Sequence, residues 1–344
     1  MKTKFLYLFA LVMAFAACEK EDTIPYTPPI PGSQGVFVLS EGSWGGNNAS
    51  LQYYNFATST VSSDLFAGKL GDTGQDMVAY GGKLYITVTE SNCIQVLNLN
   101  SFERLETITN IQSPRFLATD GGKVYATAYG TTSGEVVRID TTLLTVTGTA
   151  TVGTFPEGIA ALNGKLYVAN GGRGPGNTVS VVNTTPFQQE STIAVPQNPY
   201  IIKAGKDGNL YLTSQDVYDS ETYAFISAGG LHVINPQTKA VTENILPATQ
   251  RFDILDDVIY FYTFSTIGAY NIQTKTTTPV IPMESSYAVA NPYGIGVNPK
   301  TKEVYISDAA LDYSSNGKVV VFDTDGKMKT EFTVGVLANT FVFN

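Results

Sequence analysis

A short apolar segment with Tyr or Phe at its centre recurs seven times along this 344-residue chain, each time after a turn. The seven segments are Val36-Phe37-Val38, Leu84-Tyr85-Ile86, Val124-Tyr125-Ala126, Leu166-Tyr167-Val168, Leu210-Tyr211-Leu212, Ile259-Tyr260-Phe261 and Val304-Tyr305-Ile306. Their aromatic residues are separated by 48, 40, 42, 44, 49 and 45 residues. This is the spacing of four-stranded propeller blades rather than of helical or leucine-rich repeats. The pattern therefore predicts an all-β fold, a seven-bladed β-propeller.

The polar and apolar positions within one repeat predict four strands joined by turns. In the second repeat, apolar stretches cover residues 77–80, 84–88, 94–97 and 104–108, and Gly81-Gly82 separates the first two. Asp120-Gly121-Gly122, Asn163-Gly164 and Asp207-Gly208 occupy the same turn in later repeats, where residues that tolerate positive φ are needed. Each repeat is therefore expected to form one antiparallel meander, with its aromatic residue packed between neighbouring blades.

The first repeat has no apolar strand before Phe37, because only a proline-rich stretch precedes it. The chain has a spare strand at its other end, residues 340–343 (Thr-Phe-Val-Phe). Pairing this strand with the first repeat removes the exposed edge of an open blade. We therefore expect the C-terminal strand to close the ring, and residues 35–344 to form one domain.

The residues before the propeller have the features of a lipoprotein leader. Residues 1–17 combine Lys2 and Lys4 with an apolar stretch too short to span a bilayer, which predicts a signal peptide. Phe15-Ala16-Ala17-Cys18 resembles a bacterial lipobox, so Cys18 is the expected lipidation site. Residues 19–22 (Glu-Lys-Glu-Asp) resemble the acidic export tag of Bacteroidetes lipoproteins. The rest of the 18–34 segment contains four prolines and is expected to act as an extended tether.

Charge and cysteine content indicate which partners and which covalent bonds are expected. The net charge is −9 and becomes −11 when Lys2 and Lys4 leave with the signal peptide, which disfavours nucleic acid as a partner. The second cysteine, Cys93, starts a predicted strand and has no partner once Cys18 is lipidated. We therefore expect a buried, inert thiol and no intramolecular disulfide.

One candidate site lies where the innermost strands begin, since this is the face on which the blade-to-blade connections and the loops between second and third strands gather. The starting positions are Gln75, Arg115, Glu157, Tyr200, Arg251, Tyr293 and Thr340. They have two possible roles. They could solvate the mouth of a water-filled channel, with Arg115, Glu157 and Arg251 pairing among themselves, or they could contact a ligand.

The loops of the same face carry aromatic residues that a blade core does not explain. They are Trp44, Tyr129, Tyr218, Tyr223, Phe225, Phe264 and Tyr313. Aromatic side chains in polar loops can form an amphipathic platform for a large ligand. Trp44 is flanked by Gly42, Gly45 and Gly46 and is the strongest single candidate, followed by Tyr129, Tyr223 and Tyr313.

Groups for catalysis are scarce in the sequence. His232 is the only histidine and lies in an apolar strand, which favours a structural role and rules out a multi-histidine metal site. The glycine-rich run at 171–176 lacks the ending of a phosphate-binding loop and is explained by a long turn. We therefore predict no catalytic residue, no metal ligand and no cofactor.

The recurring Gly-Lys-Leu-Tyr type of strand, the lipoprotein start and the opening Phe37-Val38-Leu39-Ser40-Glu41-Gly42 resemble the YncE-like propeller lipoproteins of Bacteroidetes. Among these the chain looks most similar to the BtuG-type lipoproteins. That resemblance implies capture of cobalamin, or another corrinoid, and its delivery to a TonB-dependent outer-membrane transporter. It also implies a lipid-anchored protein on the outer membrane, facing the exterior. Two alternatives remain: a propeller that binds a glycan or a protein, and a metal-dependent lyase or lactonase.

Overall fold

The computed structural model describes residues 34–263, 266–280 and 289–344, and they form seven four-stranded antiparallel sheets arranged around one axis. The predicted signal peptide, Cys18 and nearly all of the predicted tether lie outside the described residues. No helix in the described part of the chain is long and apolar enough to cross a membrane. The prediction of an all-β, seven-bladed propeller is therefore confirmed.

Each blade contributes one strand to the ring around the axis. The innermost strands are β4 (Gly74–Tyr80), β8 (Pro114–Asp120), β12 (Pro156–Leu162), β16 (Pro199–Ala204), β22 (Arg251–Leu255), β26 (Pro292–Val297) and β30 (Ala338–Phe343). The second strands are β1 (Gly35–Ser40), β5 (Lys83–Val88), β9 (Lys123–Ala128), β13 (Lys165–Asn170), β17 (Leu210–Ser214), β23 (Val258–Tyr262) and β27 (Val304–Asp308).

The third and fourth strands complete the blades outward. The third strands are β2 (Ser50–Asn55), β6 (Cys93–Asn98), β10 (Gly134–Asp140), β14 (Thr178–Thr184), β20 (Gly230–Ile234), β24 (Ile267–Asn271) and β28 (Lys318–Phe322). The outer strands are β3 (Thr60–Val61), β7 (Arg104–Ile108), β11 (Thr145–Val152), β15 (Phe187–Ala194), β21 (Val241–Pro247), β25 (Thr276–Pro279) and β29 (Met328–Thr333). A further hairpin, β18 (Val217–Tyr218) and β19 (Phe225–Ser227), forms within the longest loop.

The C-terminal strand closes the ring as the sequence predicts. β30 pairs antiparallel with β1, with Phe37 opposite Val342 and Leu39 opposite Thr340, so the first blade has the order β3-β2-β1-β30. Phe341 and Phe343 also contact the Tyr305 ring of the seventh blade, at centroid distances of 6.2 and 5.1 Å. The last strand therefore stabilises two blades at once.

The short outer strand of the first blade is supplemented by side chains. β3 has only two residues. The backbone amides that it leaves unpaired on β2 donate to side chains of the segment that follows β3. The Ser62 hydroxyl accepts the amide of Tyr53 at 3.0 Å, and the Asp64 carboxylate accepts the amide of Leu51 at 3.0 Å. The edge is thereby protected without a full strand.

The recurring aromatic residues form most of the core between blades. Phe37, Tyr85, Tyr125, Tyr167, Tyr211 and Tyr305 are at most 5% exposed. Tyr85, for example, packs with Val124, Val137 and Ile139 of the next blade. The seventh, Tyr260, is only partly buried, but it packs against the cluster between the sixth and seventh blades that includes Val304 and Ile306. All seven aromatic residues therefore pack between neighbouring blades, as the repeat predicts.

The two ends of the propeller differ in character. We call the end with the hairpin turns that join first to second and third to fourth strands the turn face, and the opposite end the loop face. Gly81-Gly82, Gly121-Gly122 and Asn163-Gly164 all have positive φ, as their turns require. Gln34 and Asn344 also lie on the turn face, where Asn344 donates its amide to Gly35 and Gln34 contacts Lys300. The chain therefore enters and leaves the propeller on the face opposite the loops.

Ring closure makes a first prediction. Deletion of residues 340–344 should lower the melting temperature of the protein by more than about 10 °C, because it removes most of β30 and two aromatic contacts. Differential scanning calorimetry of the purified variants would measure this. Leu143→Ala, which truncates a side chain that is 70% exposed on the turn face, should melt like the wild type. An unchanged melting temperature after the deletion would contradict closure by this strand.

Candidate functional site

Six of the seven innermost strands begin with an irregularity that re-aims one side chain. In β8, Pro114 pairs with Ala128 and Leu117 pairs with Ala126, so Arg115 and Phe116 together oppose Thr127. Equivalent register shifts occur at the starts of β4, β12, β16 and β26 and in the closing pair β1–β30. β-bulges commonly redirect side chains beside functional sites. The residues at these positions, with Arg251 of the regular strand β22, form what we call the collar: Gln75, Arg115, Glu157, Tyr200, Arg251, Tyr293 and Asn339.

The collar matches the sequence prediction at six positions and differs at one. β30 begins two residues earlier than predicted, and Asn339 rather than Thr340 falls at the register shift. A sequence signal was present at four positions, since the collar residue directly follows the proline that starts β8, β12, β16 or β26. Proline lacks an N–H group, which suits the first residue of a strand.

Hydroxyl groups on the second strands hold the bulged backbone. Thr127 accepts the amide of Phe116 at 2.9 Å and donates to the carbonyl of Glu157 in the next blade at 2.8 Å. Thr87 donates to the carbonyl of Arg115 at 2.5 Å in the same way, and Ser307 donates to that of Ala338 at 2.5 Å. Each of these hydroxyl groups therefore bonds to the innermost strand of the neighbouring blade, and Thr127 also bonds to the innermost strand of its own blade.

Arg115 and Glu157 form the first half of the collar. The Arg115 Nε and Nη2 atoms lie 2.9 and 2.8 Å from Glu157 Oε2, and Arg115 Nη1 donates to Gln75 Oε1 at 2.5 Å. The other carboxylate oxygen of Glu157 accepts the Tyr129 hydroxyl at 2.7 Å. Burial, together with this carboxylate, raises the pKa of Tyr129. Four predicted site residues are therefore joined in one network.

The second half of the collar is built around a residue that the sequence analysis did not select, Glu41. Its carboxylate accepts the Tyr293 hydroxyl at 2.8 Å and Asn339 Nδ2 at 2.8 Å, and it lies 3.5 Å from Arg251 Nη2. Of the possible pairing among Arg115, Glu157 and Arg251, the structure has the Arg115–Glu157 pair, whereas Arg251 is paired with Glu41. Glu41 follows the last residue of a second strand, as Tyr129 does, and that shared position was the available signal.

Rings and guanidinium groups connect the two halves. The Arg115 guanidinium lies 5.2 Å from the Tyr129 ring and 5.9 Å from the Phe116 ring, and Phe116 meets Tyr200 edge to face at 5.5 Å. Tyr200 in turn lies 5.9 Å from the Arg251 guanidinium. Such cation–π contacts strengthen when water is excluded. The collar and Glu41 therefore form a continuous, mostly buried surface in which two arginines are balanced by two glutamates.

The glycine-rich loop adds a cation beside this surface. Arg173 is exposed, and its guanidinium lies 4.3 Å from the Phe155 ring and 5.8 Å from the Tyr129 ring. Phe155 and Tyr129 meet edge to face at 5.0 Å. The interpretation of residues 171–176 as a simple turn therefore missed Arg173, since its contacts depend on two neighbouring segments.

The remaining predicted residues form an outer layer. Trp44 and Tyr223 are 82% and 80% exposed, and Tyr313 is 52% exposed with its hydroxyl 3.3 Å from Asn291 Oδ1. Ten large apolar side chains are exposed among the described residues, and seven of them lie in three loops of the loop face. We call these seven the rim: Trp44, Tyr218, Tyr223, Phe225, Ile226, Leu311 and Tyr313. Phe264 lies outside the described residues.

A cavity of about 230 Å³ continues below the collar along the axis. Arg251 and Asn339 line it, as do Asp76, Lys203 and Asp253. Lys203 pairs with Asp253 at 2.7 Å, while Asp76 Oδ2 accepts the amide of Leu117 in the next blade at 2.8 Å. Burial raises the pKa of Asp76 to about 6, although its backbone bonds and Lys203 act in the opposite direction.

The sole histidine has a structural role in the fold. His232 Nδ1 accepts the amide of Asn244 at 2.9 Å, so the ring proton lies on Nε2, which is 2.8 Å from the Ser214 hydroxyl. Burial lowers the pKa of His232. Because Nε2 donates to Ser214, it is not placed to remove the serine proton, as nucleophilic catalysis would require.

The free thiol of Cys93 is buried, and this burial raises its pKa. No group of three or more His, Cys, Asp or Glu side chains suited to a metal ion occurs within 34–263, 266–280 and 289–344.

The chain belongs to a family described as Domain of unknown function (DUF5074), which matches residues 34–341. A search of curated proteins found no match. The fold is similar to that of a quinonprotein alcohol dehydrogenase-like protein from Bacteroides thetaiotaomicron, with a TM-score of 0.62 and 15% identity over 90% of this chain and 78% of that one.

Two further solved structures show how widely this fold is distributed. A protein from Lactobacillus plantarum has a TM-score of 0.61 and 16% identity, covering 90% of this chain and 99% of that one. Hydrazine synthase from Kuenenia stuttgartiensis has a TM-score of 0.59 and 16% identity, covering 73% and 77%. At these identities the likeness defines a β-propeller and leaves the function to the site.

The position of Asp76 makes a second prediction. A raised pKa means that the folded state binds the proton more tightly than the unfolded state. The free energy of unfolding of the wild type should therefore fall as pH rises from about 4 to about 6, where the unfolded state loses this proton first. Asp76→Asn keeps an oxygen for the Leu117 amide and loses this effect. Across that window the free energy of unfolding of Asp76→Asn should rise relative to that of the wild type, by up to about 1.4 kcal/mol per pH unit.

Urea unfolding at several pH values would measure this difference. Asp76→Ala, which also loses the bond to Leu117, should be less stable than Asp76→Asn at every pH. Parallel profiles for Asp76→Asn and the wild type would show that Asp76 has no raised pKa.

Proposed function

We propose that this protein binds a corrinoid such as cobalamin on its loop face. The observation that carries the proposal is the two-layer construction of that face. The inner collar offers hydroxyl, amide and guanidinium groups, and the rim around it holds most of the exposed large apolar side chains of the described residues. A corrinoid has a broad apolar ring system with amide side chains at its edge, so it requires both kinds of surface.

The charge balance of the collar supports a neutral ligand. Arg115 is paired with Glu157 and Arg251 with Glu41, and all four side chains are 12–14% exposed. A strongly anionic ligand would have to compete with two carboxylates that already hold these arginines. A neutral molecule with many amides can bond to the tyrosine hydroxyls and arginine N–H groups without breaking either pair.

The rim supports a ligand that is large. The exposed aromatic residues come from three separate loops, 41–49, 215–229 and 309–317, so one ligand that contacts all of them must extend across the face. Tyr218 and Phe225 meet edge to face at 5.8 Å across the β18–β19 hairpin, which gives the longest loop a fixed apolar tip. Tryptophan and tyrosine are enriched among the residues that dominate binding energies.

The cellular role extends this proposal. The resemblance to BtuG-type lipoproteins and the lipobox-like segment ending at Cys18 support a lipid-anchored protein on the outer membrane that faces the exterior. A TonB-dependent transporter is then the partner that would receive the corrinoid. Cys18 lies outside the described residues, so this part of the proposal depends on the sequence.

Trp44 provides a third prediction. Trp44→Ala should weaken cyanocobalamin binding about thirtyfold, roughly 2 kcal/mol, because it removes a large amphipathic contact. Isothermal titration calorimetry would measure this loss. Trp44 is the only tryptophan of the chain, so quenching of wild-type fluorescence provides a second measure of cyanocobalamin binding.

Two turn-face variants are matched controls for this experiment. Leu143→Ala truncates an exposed apolar side chain, and Asp120→Ala removes a polar one, and both should bind cyanocobalamin like the wild type. Equal affinity of all variants would refute the assignment of the site to the loop face. No binding by the wild type would refute the corrinoid proposal.

Lipid attachment is a fourth prediction. Cys18→Ser should release the protein from the membrane fraction, because the thiol that would carry the acyl groups is lost. Fractionation with an antibody against the propeller, together with labelling by a radioactive fatty acid, would show this. Equal incorporation of label into the wild type and the variant would contradict the assignment of Cys18.

A further inference from the structure

Two neighbouring collar residues each hold a buried polar atom without a hydrogen-bond partner. They are Gln75 Nε2 and Asn339 Oδ1. Both residues are 3% exposed, and they lie at the starts of β4 and β30, which are adjacent in the ring. An unpaired buried polar atom costs about 1–3 kcal/mol, so a bound group that supplies the missing hydrogen bond is favoured.

The opposite ends of the two amides are fixed, so the orientation of each is defined. Asn339 Nδ2 donates to Glu41 Oε1 at 2.8 Å and to the carbonyls of Gly74 and Gln75 at 3.1 and 2.9 Å. Gln75 Oε1 accepts Arg115 Nη1 at 2.5 Å. Turning either amide over would place like groups against each other. One donor and one acceptor therefore remain unpaired.

We propose that Gln75 and Asn339 form a subsite for a primary carboxamide of the ligand. The carboxamide oxygen would accept from Gln75 Nε2, and its NH₂ group would donate to Asn339 Oδ1. Asn339 lines the axial cavity of about 230 Å³, and Gln75 directly precedes Asp76, which also lines it. This inference rests on the proposed function, because a corrinoid carries several such amides.

The surroundings of the subsite discriminate against a carboxylate of the same shape. A carboxylate has no hydrogen to donate to Asn339 Oδ1, and it would lie near Glu41, whose carboxylate already holds Asn339. Both Arg115 and Arg251 are occupied by glutamates. Sites that bond a buried polar group reject analogues that leave their own groups unpaired.

A single water molecule could also satisfy both atoms, since it donates and accepts. The experiment must therefore measure selectivity for an amide. The first arm titrates the chain from residue 18 onward, with Cys18→Ser, using cyanocobalamin and its separate monocarboxylic acid derivatives. At least one monocarboxylate should bind about tenfold or more weakly than the parent.

The second arm repeats the titration with Gln75→Glu. This change keeps an oxygen for Arg115 and replaces the free donor by an acceptor. Cyanocobalamin should bind about tenfold more weakly to the variant, whose melting temperature shows whether it is folded. Gln75→Leu should show the same loss, while Gln112→Leu, an exposed glutamine in a loop-face connection, should bind normally.

The third arm separates this inference from the proposed function by using propionamide and propionate, followed by saturation-transfer NMR at millimolar concentrations. Propionamide should give a signal that is lost in Gln75→Glu, and propionate should give none. If this holds but cyanocobalamin does not bind, the carboxamide subsite stands and the corrinoid proposal falls. If propionamide shows no selective signal, or cyanocobalamin and all its monocarboxylates bind the wild type and Gln75→Glu alike, the subsite is occupied by water and the inference is overturned.

Discussion

The pairing of β30 with β1 is the constraint on which both the fold and the site depend. It joins the first and last strands of the propeller in one sheet, and it brings Asn339 of the collar and its partner Glu41 into place. Asn339 arrives with β30, and Glu41 directly follows β1, where its amide bonds to the carbonyl of Leu337. The Glu41–Asn339–Arg251 half of the collar therefore exists only in the closed ring. A propeller that failed to close would lose its site before it lost most of its blades.

The two arginines of the collar are each neutralised by a glutamate, which the net charge of the chain does not reveal. The protein is strongly acidic, yet its axis mouth holds two arginines, each paired with a glutamate from another blade. Each pair crosses a blade boundary, so the charges also fix the relative positions of blades. Polar groups that are held in this way are preorganised, which lowers the cost of ordering them when a ligand binds.

Much of the fold could be predicted from the sequence because its determinants are local and repeated. The spacing of Tyr85, Tyr125 and Tyr167 and the glycine turns define blades, and the missing first strand defines the closure. Tyr260 shows the limit of this reasoning, since it packs between blades like its counterparts but is less buried than they are, which its position in the repeat does not reveal.

The site was less predictable because its contacts are made between blades. Arg115 and Glu157 could be placed by their position at strand starts, but the partner of Arg251 could not. Glu41, Phe155 and Arg173 belong to loops whose packing depends on residues far away in sequence. The displacement from Thr340 to Asn339 arose from one irregular residue in β30, which period-two alternation cannot reveal.

The chain enters the propeller on the turn face, and this position affects how the molecule would be oriented on a membrane. If Cys18 carries the lipid, the propeller is held from the end opposite its collar, so the loop face points away from the membrane. The seventeen residues from Cys18 to Gln34 can span at most about 60 Å. To pass a ligand to a protein in the same membrane, the propeller would have to tilt on this tether. The length of the tether therefore limits which neighbouring proteins the loop face can reach.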